Sequence, residues 1–366
     1  MGRMRVLAWL VVAAGCVAPE SSVVQPITNG SADAGDPAVV ALVDPTGRAG
    51  CTATVIEAHT AITAAHCVTG FDPRILRVWF GGADYSAVSG TRTHPMFDPA
   101  SLANDVAVVT FRDPAQVAPL ALETAAPTVG TVIRAVGYGT TAAGSDDGGE
   151  KRAGSAMISD VQATELTAVP QPSQPCHGDS GGPALMPAGT IGGVVSRGDA
   201  ACSDHTIYAR VDVAQSFVTG YLADTAPGTA SVGDPCLYDG QCAGGPCLVT
   251  ADDPELAFCA AACTHDSDCP AAMTCKDSEC RYPVPSPGAL GATCTADADC
   301  TTGTCLRGAC TRSCGGSATC PSGFSCSDDF CVATSSGCGG CNGGGAPGLV
   351  ISLLLFALVR RSGRRA

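Results

Sequence analysis

The segment CHGDSGGP, residues 176–183, places a serine between an aspartate and two glycines. A serine hydroxyl is a weak nucleophile unless a neighbouring base takes its proton and a third group orients that base. Taken alone, the motif is equally compatible with a glycine-rich turn. Ser180 is therefore a candidate nucleophile only if the sequence also supplies a histidine and a carboxylate.

Both groups occur earlier in the chain. His66 precedes Cys67 in the segment ITAAHC, and Asp105 stands at the start of the apolar stretch NDVAVVTF. A carboxylate at the start of a buried strand is costly unless it is paired, and an imidazole is a suitable partner. A buried structural histidine would also fit ITAAHC by itself, but the two motifs together predict a Ser-His-Asp triad.

The chain order His66, Asp105, Ser180, with TAAHC and GDSGGP around the first and last, resembles the chymotrypsin/trypsin family of serine proteases. The resemblance covers residues 27–224 and implies a double six-stranded β-barrel. It implies that Ser180 attacks the scissile carbonyl while His66 takes its proton and Asp105 orients the imidazole. The backbone N–H groups of Gly178 and Ser180 would bind the oxyanion.

The same resemblance assigns a specificity pocket. Its floor would be Gln174, six residues before the nucleophile, and an uncharged floor disfavours Arg or Lys because a desolvated cation would have no partner. Gly198 would leave the entrance open and Thr206 would narrow the lower part, which predicts small to medium uncharged side chains. Ser196 would hydrogen-bond Asp105 and line the substrate strand.

The resemblance also implies an activation step. A freed ammonium group at Ile27, in the segment ITNG, would pair with Asp179 and order the oxyanion hole. Cleavage would have to follow Pro26, after which few proteases cut, so either an unusual activator or trimming from an upstream cut is required.

Four cysteines of this region would form two bridges by the same resemblance, Cys51–Cys67 at the histidine loop and Cys176–Cys202 at the pocket wall.

Two features depart from the family pattern. Arg197 stands where an aromatic residue usually forms one wall of the pocket. The segment after Trp79 lacks the acidic residues of the family's calcium loop, so no calcium is expected there.

The elements that must position these residues are short, β-branched segments bounded by Gly, Pro or Asp, which predict strands. They are residues 38–43, 52–56, 61–65, 77–82, 105–111, 131–139 and 190–196. One helix is predicted at the end, over residues 213–224. Many short strands with a single closing helix are typical of an all-β barrel or sandwich.

From Cys236 onward, cysteines replace apolar strands. Two stretches of eight cysteines, residues 236–283 and 294–333, share six of their seven cysteine intervals. Modules this small bury little core, so four disulfides in each are predicted to hold them together, with the pairing undetermined. Zinc is disfavoured because no CxxC pair occurs inside the modules. Linkers are predicted at residues 225–235 and 284–293.

The two ends of the chain are predicted to be processed. Residues 1–18 have two arginines before an apolar run too short to span a bilayer, as in a secretory signal, and residues 19–26 would be a short propeptide. Cys16 lies in a context that resembles a bacterial lipobox. Lipid attachment at Cys16 and ordinary cleavage nearby both remain open.

Residues 334–366 contain, in order, a cysteine pair, a glycine-rich spacer, an apolar run and four arginines. The run, residues 349–359, is shorter than the roughly 20 residues that a spanning helix needs, which predicts transient membrane association. The segment resembles the C-terminal sorting tails of myxobacterial surface proteins, which a dedicated protease removes. The resemblance implies a bacterial source and a location at the cell surface, associated with the outer membrane.

Composition agrees with secretion. The 23 cysteines indicate an oxidising compartment. Without the two arginines of the signal and the four of the tail, 14 basic residues stand against 34 acidic ones, a net charge of −20. Such a surface disfavours nucleic acid as a partner and leaves proteins or peptides as substrates.

The sequence therefore predicts an all-β double barrel followed by two small disulfide-rich modules, and a secreted, surface-associated serine endopeptidase that needs no metal or other cofactor. The alternative is a surface adhesion or binding protein in which the modules, whose ligands are unknown, carry the function.

Overall fold

The computed structural model describes most of the chain, in the ranges 27–70, 75–252, 256–314, 320–327 and 329–334. The predicted signal, Cys16, the propeptide and the sorting tail beyond residue 334 lie outside the described residues.

The first barrel is a closed ring of six antiparallel strands. A two-residue strand, β1 (Ser31–Ala32), comes before it. The barrel strands are β2 (Val39–Val43), β3 (Ala49–Glu57), β4 (Thr60–Thr63), β5 (Arg77–Gly81), β6 (Asp84–Thr93) and β7 (Ala107–Phe111). They pair in the order β2-β3-β4-β7-β6-β5. Every residue of β2 and of β7 is buried, because these β-branched runs pack on both faces.

The second barrel follows the same plan. Its strands are β8 (Val132–Gly137), β9 (Arg152–Val161), β10 (Glu165–Pro170), β11 (Pro183–Leu185), β12 (Ile191–Gly198) and β13 (Thr206–Arg210). They pair in the order β9-β10-β13-β12-β11-β8, and pairing of β8 with β9 closes the ring, while β1 adds to the start of β9. The predicted double six-stranded barrel is confirmed.

One helix, α1 (Gln215–Asp224), follows the second barrel and packs back on the first. Val218 and Tyr221 are its buried residues, and the Tyr221 hydroxyl lies 2.5 Å from Thr110 Oγ1 of β7. The two barrels are therefore held together by the chain that leaves the second one.

The cysteine-rich region contains four units of one design, two in each predicted module. In every unit the first cysteine pairs with the third and the second with the fourth. The bridges are Cys236–Cys247, Cys242–Cys259, Cys263–Cys275, Cys269–Cys280, Cys294–Cys305, Cys300–Cys310, Cys314–Cys326 and Cys320–Cys331. The sequence left this pairing open.

Each unit also contains one small antiparallel hairpin. The hairpins are β14 (Cys247–Val249) with β15 (Ala257–Cys259), β16 (Thr274–Lys276) with β17 (Glu279–Arg281), β18 (Cys305–Leu306) with β19 (Ala309–Cys310), and β20 (Phe324–Ser327) with β21 (Phe330–Ala333).

In the first three units an aspartate, three residues after the first cysteine, accepts the backbone N–H of the third cysteine. These contacts are Asp239 with Cys247 at 2.9 Å, Asp266 with Cys275 at 2.8 Å, and Asp297 with Cys305 at 2.8 Å. The repeated aspartates therefore stabilise the chain between the first and third cysteines of each of these units.

The first unit of module 1 packs on the first barrel. The ring of Tyr238 stacks on the imidazole of His59, with centroids 4.0 Å apart and planes inclined by 13°. The Tyr238 hydroxyl donates to the carbonyl of Thr225 at 2.6 Å. Leu237 covers Gly90 of β6 so closely that a Cβ there would stand 3.1 Å from it.

Residues 225–235, predicted as a linker, are folded against the same module. The N–H of Ala230 donates to the carbonyl of Gln241 at 2.9 Å, and that of Gly233 donates to Cys259 at 2.8 Å. Ala230 is buried. No helix in the described ranges has the length and apolar character to cross a membrane.

Candidate active site

Two paired strands of the first barrel position His66 and Asp105. His66 lies in the 3-10 turn Ala65–Cys67, directly after β4, and Asp105 lies just before β7. The antiparallel register pairs the last residue of β4 with the first of β7, so the end of one strand and the start of the other meet at one barrel edge. Strand pairing thus brings together residues 39 positions apart.

Asp105 is fully buried and accepts three hydrogen bonds. Its Oδ1 accepts the backbone N–H of His66 at 2.9 Å, and its Oδ2 lies 2.7 Å from His66 Nδ1. Ser196 Oγ donates to the same Oδ2 at 2.6 Å. A carboxylate only accepts, so His66 Nδ1 bears the proton and Nε2 is left as the acceptor nitrogen.

Ser180 comes from the second barrel, in the turn before β11. Its carbonyl accepts the N–H of Thr52 in β3 at 2.8 Å, which ties the turn to the first barrel. Ser180 and His66 line one cleft of about 720 Å³ between the barrels. Within the described chain no hydrogen bond joins Ser180 Oγ to His66 Nε2; in proteases without substrate such contacts are often long.

The turn before Ser180 leaves two backbone donors available. Thr140 N–H donates to the carbonyl of His177 at 2.7 Å. Because C=O and N–H of a trans peptide point in opposite directions, the N–H of Gly178 faces away from Thr140. Gly178 has φ +96°, which favours glycine. Among the described residues, neither Gly178 N–H nor Ser180 N–H has an acceptor.

Asp179 is fully buried beside this turn. Its carboxylate accepts the N–H of Gly139 at 2.7 Å and that of Cys176 at 2.8 Å. Desolvation raises the pKa of Asp179 to about 7, although the two N–H bonds oppose the shift. No cation pairs with it in the described part of the chain. A Cβ on Gly137 would stand 2.2 Å from its Oδ1, so glycine is required there.

Ile27 is also fully buried, beside strand β9. A Cβ at Gly154 of β9 would come within 3.0 Å of the Ile27 side chain. Thr28 pairs with Gln174 through backbone hydrogen bonds of 2.9 and 3.2 Å. The segment that begins at Ile27 is thus docked beside the pocket floor.

The predicted specificity pocket is a cavity of about 230 Å³ that opens beside Ser180. Ser196, Gly198 and Thr206 line it, as predicted residues of its wall. Gln174, predicted as the floor, is not among the residues that line this cavity. It is buried, and its Nε2 donates to Asp199 Oδ1 at 2.7 Å and to the His205 carbonyl at 2.8 Å. The amide of Gln174 therefore supports the lining from behind, through Asp199.

Asp199 lines the same cavity and was not anticipated from the sequence. Besides Gln174, its carboxylate accepts backbone N–H groups of the loop that follows. The donors are Ala201 at 3.2 Å, Ser203 at 3.1 Å, Asp204 at 2.9 Å and His205 at 3.2 Å. Burial raises the pKa of Asp199, but these hydrogen bonds outweigh it and the net shift is downward. In the sequence, only the position of Asp199 between Gly198 and Cys202 could have indicated that it lines the pocket.

Arg197, the departure from the family pattern, is neutralised by Glu165 of β10. Its two terminal nitrogens donate to the two carboxylate oxygens of Glu165, each at 2.8 Å. Such a bidentate pair fixes the guanidinium plane beside the cavity. Sequence reasoning did not anticipate Glu165, because its partner lies 32 residues away.

Two disulfides frame the site. Cys51 pairs with Cys67 beside His66, and Cys176 pairs with Cys202 beside the pocket. His66 lies close to the first pair and His177 to the second, in groups that resemble metal-ligand sets. Because the four sulfurs are joined in bridges, they offer no thiolates to a metal.

Comparison with known proteins places this geometry in a family. The sequence model of the family described as Trypsin matches residues 27–218. "Trypsin alpha" of Drosophila erecta is 30% identical over 199 residues, covering 47% of this chain and 77% of the relative. "Trypsin" of Saccharopolyspora erythraea is 29% identical over 202 residues, covering 48% of this chain and 88% of the relative.

Among solved structures, human heparin binding protein is similar at 20% sequence identity with a TM-score of 0.49, covering 55% of this chain and 99% of that one. The family match spans both barrels and includes His66, Asp105 and Ser180. The chain therefore belongs to the trypsin family and is a serine endopeptidase of the chymotrypsin/trypsin type.

Proposed function

We propose that the protein is a secreted, surface-associated endopeptidase that cleaves peptide bonds through an acyl-enzyme on Ser180. The observation that carries the proposal is the pair of hydrogen bonds between Asp105 and His66. Two contacts, at 2.9 and 2.7 Å, hold the ring and its Nδ1 proton, which leaves Nε2 as a base in the cleft that Ser180 also lines.

In the proposed reaction, Ser180 Oγ attacks the scissile carbonyl carbon while its proton passes to His66 Nε2. The resulting imidazolium is stabilised by Asp105 and then protonates the leaving amine. A water molecule, deprotonated by His66 Nε2, then attacks the acyl carbon, and the bond from that carbon to Ser180 Oγ breaks as the His66 imidazolium returns the proton to Oγ. Loss of the amine and then of the carboxylic acid completes the cycle.

The N–H groups of Gly178 and Ser180 would hold the oxyanion of both tetrahedral intermediates. Neither N–H group has an acceptor among the described residues, which supports this role. Loss of one such donor typically raises the barrier by about 3 kcal/mol.

Substrate would lie along the open edge of β12. Strand β11 pairs with β12 only as far as Val194. Beyond it, Arg197 and Gly198 pair with β13 on one side alone, and Ser196 lies at a register shift between Val195 and Arg197. An extended peptide can add to such an edge as a further strand. The substrate backbone would then lie beside Ser180, with one side chain in the cavity that Ser196, Gly198 and Thr206 line. The uncharged amide of Gln174, bonded to Asp199 of that lining, supports a preference for uncharged side chains.

Covalent labelling with a fluorophosphonate tests the proposal. The mature protein is expected to gain one adduct at Ser180, identified by peptide mass spectrometry, and to lose peptidase activity in proportion. Ser180→Ala is the matched control and is expected to take no adduct while keeping its folded circular dichroism. Unchanged peptide hydrolysis by Ser180→Ala would contradict the triad assignment.

Secretion and surface attachment rest on sequence features outside the described residues. The short apolar run at residues 349–359 supports removal of the tail after export. Intact mass spectrometry of the cell-surface form is expected to find no residue beyond the Cys338–Cys341 region. Recovery of Arg364 and Arg365 on that form would contradict tail removal. A lipid on Cys16 would appear in the same spectrum.

The alternative, an adhesion protein whose modules carry the function, is not favoured. The family match lies on the barrels, where the triad residues are all present. The ligands of the modules are a separate question.

A further inference from the structure

Two cavities meet at Ser180, and they differ in size. The cavity on the side of Ser196 and Thr206 has a volume of about 230 Å³, whereas the cleft on the side of His66 has a volume of about 720 Å³. Ser180 and His177 line both of them. The larger cleft therefore adjoins the reacting atoms but is distinct from the pocket beside the edge of β12.

The proposed reaction assigns the larger cleft to the departing half of the substrate. His66 protonates the leaving amine from Nε2, so the amine nitrogen must come within hydrogen-bond reach of this atom. His66 lines the larger cleft and is not among the residues that line the smaller cavity. The side chain of the residue that supplies the amine begins one atom away from the nitrogen, so it lies on the side of the larger cleft.

The wall of the cleft beside His66 is apolar. Cys67 Sγ lies 3.8 Å from His66 Nε2, and Cys51 and Cys67, which form one disulfide, both line the cleft. Ile75, in the segment before β5, also lines it and is 40% exposed. A side chain that follows the leaving amine therefore meets a disulfide and an accessible isoleucine.

One position in this wall has no side chain. Gly50 of β3 precedes Cys51 and lines the cleft. A Cβ on Gly50 would meet no atom within 4 Å among the described residues, and its φ lies outside the left-handed region. The glycine is thus not required by the backbone or by a close neighbour, and it leaves space beside the disulfide.

The charged groups of the cleft lie at its mouth. Arg48 Nη2 and Asp146 Oδ1 are 3.5 Å apart, and the two side chains are 77% and 97% exposed. Asp44 Oδ1 accepts the backbone N–H groups of Thr46 at 2.8 Å and of Arg48 at 3.1 Å. A charged substrate side chain against the disulfide would therefore lose water without gaining a buried partner.

We propose that the peptidase selects a bulky apolar residue, Leu, Ile or Phe, immediately after the scissile bond. Its side chain packs on the Cys51–Cys67 disulfide and on Ile75, in the space that Gly50 leaves open. Removal of apolar surface from water stabilises this contact in proportion to the area covered. The inference deepens the proposed function and rests on it, since it names the substrate class on the leaving side of the same site.

The test measures how one acyl-enzyme of the mature protein divides between water and added amines. A peptide ester supplies the acyl group, and the amides of Leu, Phe, Ala, Gly, Asp and Lys are offered in turn. The amine nitrogen attacks the acyl carbon, the bond from that carbon to Ser180 Oγ breaks, and the proton that the amine loses passes through His66 to Oγ. The acyl group is the same in every reaction, so the ratio of new peptide to free acid reports on the leaving side alone.

At equal amine concentration, the ratio for Leu or Phe amide is expected to exceed that for Gly amide at least about tenfold, because apolar pockets discriminate by the methylene groups they bury. Asp and Lys amides are expected to give ratios no higher than that of Ala amide. Equal ratios for Leu and Gly amides, or the highest ratio for a charged amide, would overturn the proposal.

Variants of the wall locate the effect. Ile75→Ala removes apolar surface, and Gly50→Leu places a side chain in the open space. Each is expected to lower the Leu-to-Gly ratio about fivefold or more. The matched controls are Gly244→Leu, at a glycine of module 1 whose Cβ would also meet no atom within 4 Å, and Val132→Ala, at a valine of β8 that is 43% exposed. Both controls are expected to keep the ratio, and an unchanged ratio in both wall variants overturns the proposal.

The failure of this proposal is distinguishable from the failure of the proposed function. An acyl-enzyme that hydrolyses without any preference among the amines overturns the apolar subsite and leaves the endopeptidase standing. Absence of both fluorophosphonate labelling at Ser180 and ester hydrolysis overturns the two together. The ratio is measured within one preparation, so a partly folded variant still gives a valid value.

Discussion

Gly139 donates its backbone N–H to the buried carboxylate of Asp179 at 2.7 Å, at a point where even a Cβ on the glycine would collide with that carboxylate. This contact fixes Asp179 within the turn that presents Gly178 and Ser180. Gly139 and Cys176 hold the carboxylate through their N–H groups, and no cation pairs with it among the described residues, so the charge state of Asp179 is coupled to the stability of the turn that carries Gly178 and Ser180.

The first prediction is a pH-dependent stability of the precursor. Burial sets the folded pKa of Asp179 at about 7, against an ordinary value of 3.8. Between these values the folded chain binds a proton that the unfolded chain has released, so the free energy of unfolding falls as pH rises from about 4 to about 7. The change is about 4 kcal/mol at most. Urea unfolding of Ser180→Ala precursor across this range measures it.

The matched control for this prediction is Asp179→Asn in the same background, which cannot titrate and is expected to lose this part of the slope. Release of the Ile27 ammonium group should supply a cation and flatten the slope as well. Equal slopes in the precursor and in Asp179→Asn would disprove the linkage. Full peptidase activity in a chain that still carries Pro26 would show that activation does not use Ile27.

The second prediction concerns Asp105. Asp105→Asn keeps the shape of the side chain but offers an N–H where His66 Nδ1 needs an acceptor, so the ring is driven to the wrong tautomer. In a Ser-His-Asp triad this lowers kcat by about 10⁴. Ser196→Ala removes one of the three donors to Asp105 and should cost only about tenfold. Steady-state kinetics on a peptide substrate measure both, and equal losses would contradict this ranking.

The third prediction concerns the disulfide beside the pocket. Cys176 and Cys202 close a loop with a sequence separation of 26, so replacing both with Ser should lower the free energy of unfolding by roughly 3–4 kcal/mol. Because Cys176 N–H also donates to Asp179, kcat/KM should fall too. The control is Cys269→Ser with Cys280→Ser in module 1, which should leave kcat/KM unchanged. A loss of activity in the control would show that the effect is not local.

The fourth prediction tests whether the aspartates of the modules stabilise the fold or bind a metal ion. Asp266 and Asp297 already accept backbone N–H groups, so neither EDTA nor added calcium should shift the thermal midpoint of the modules. Asp297→Ala should leave the N–H of Cys305 without its acceptor and raise the rate at which that N–H exchanges its hydrogen. Asp277→Ala, in an exposed turn, should leave this exchange rate unchanged. A calcium-dependent midpoint would refute this view.

Local chemistry decides which parts of the fold the sequence predicts. Strands β2 and β7 are recognisable because both faces are buried and the residues are β-branched. Strands β6 and β9 carry Asp, Ser, Arg and Gly and bury only some positions, so they lack that signal although both complete a barrel. Their place depends on partners far along the chain.

The site divides in the same way. His66 and Ser180 lie in motifs that can be read locally, and Asp105 follows from their order. Asp199 has no motif, because its role arises from hydrogen bonds that exist only after β12 and β13 have paired. The cysteine intervals likewise reveal repetition at the level of the module, while the division into four units depends on the pairing of sulfurs.

The stack of Tyr238 on His59 has a consequence for how the enzyme meets its surroundings. Since the first cysteine-rich unit and the segment before it are packed on the barrel, the peptidase does not swing on a tether. The barrels and this first unit are therefore expected to tumble as one body, so the start of the cysteine-rich region keeps a fixed distance and direction from the catalytic cleft.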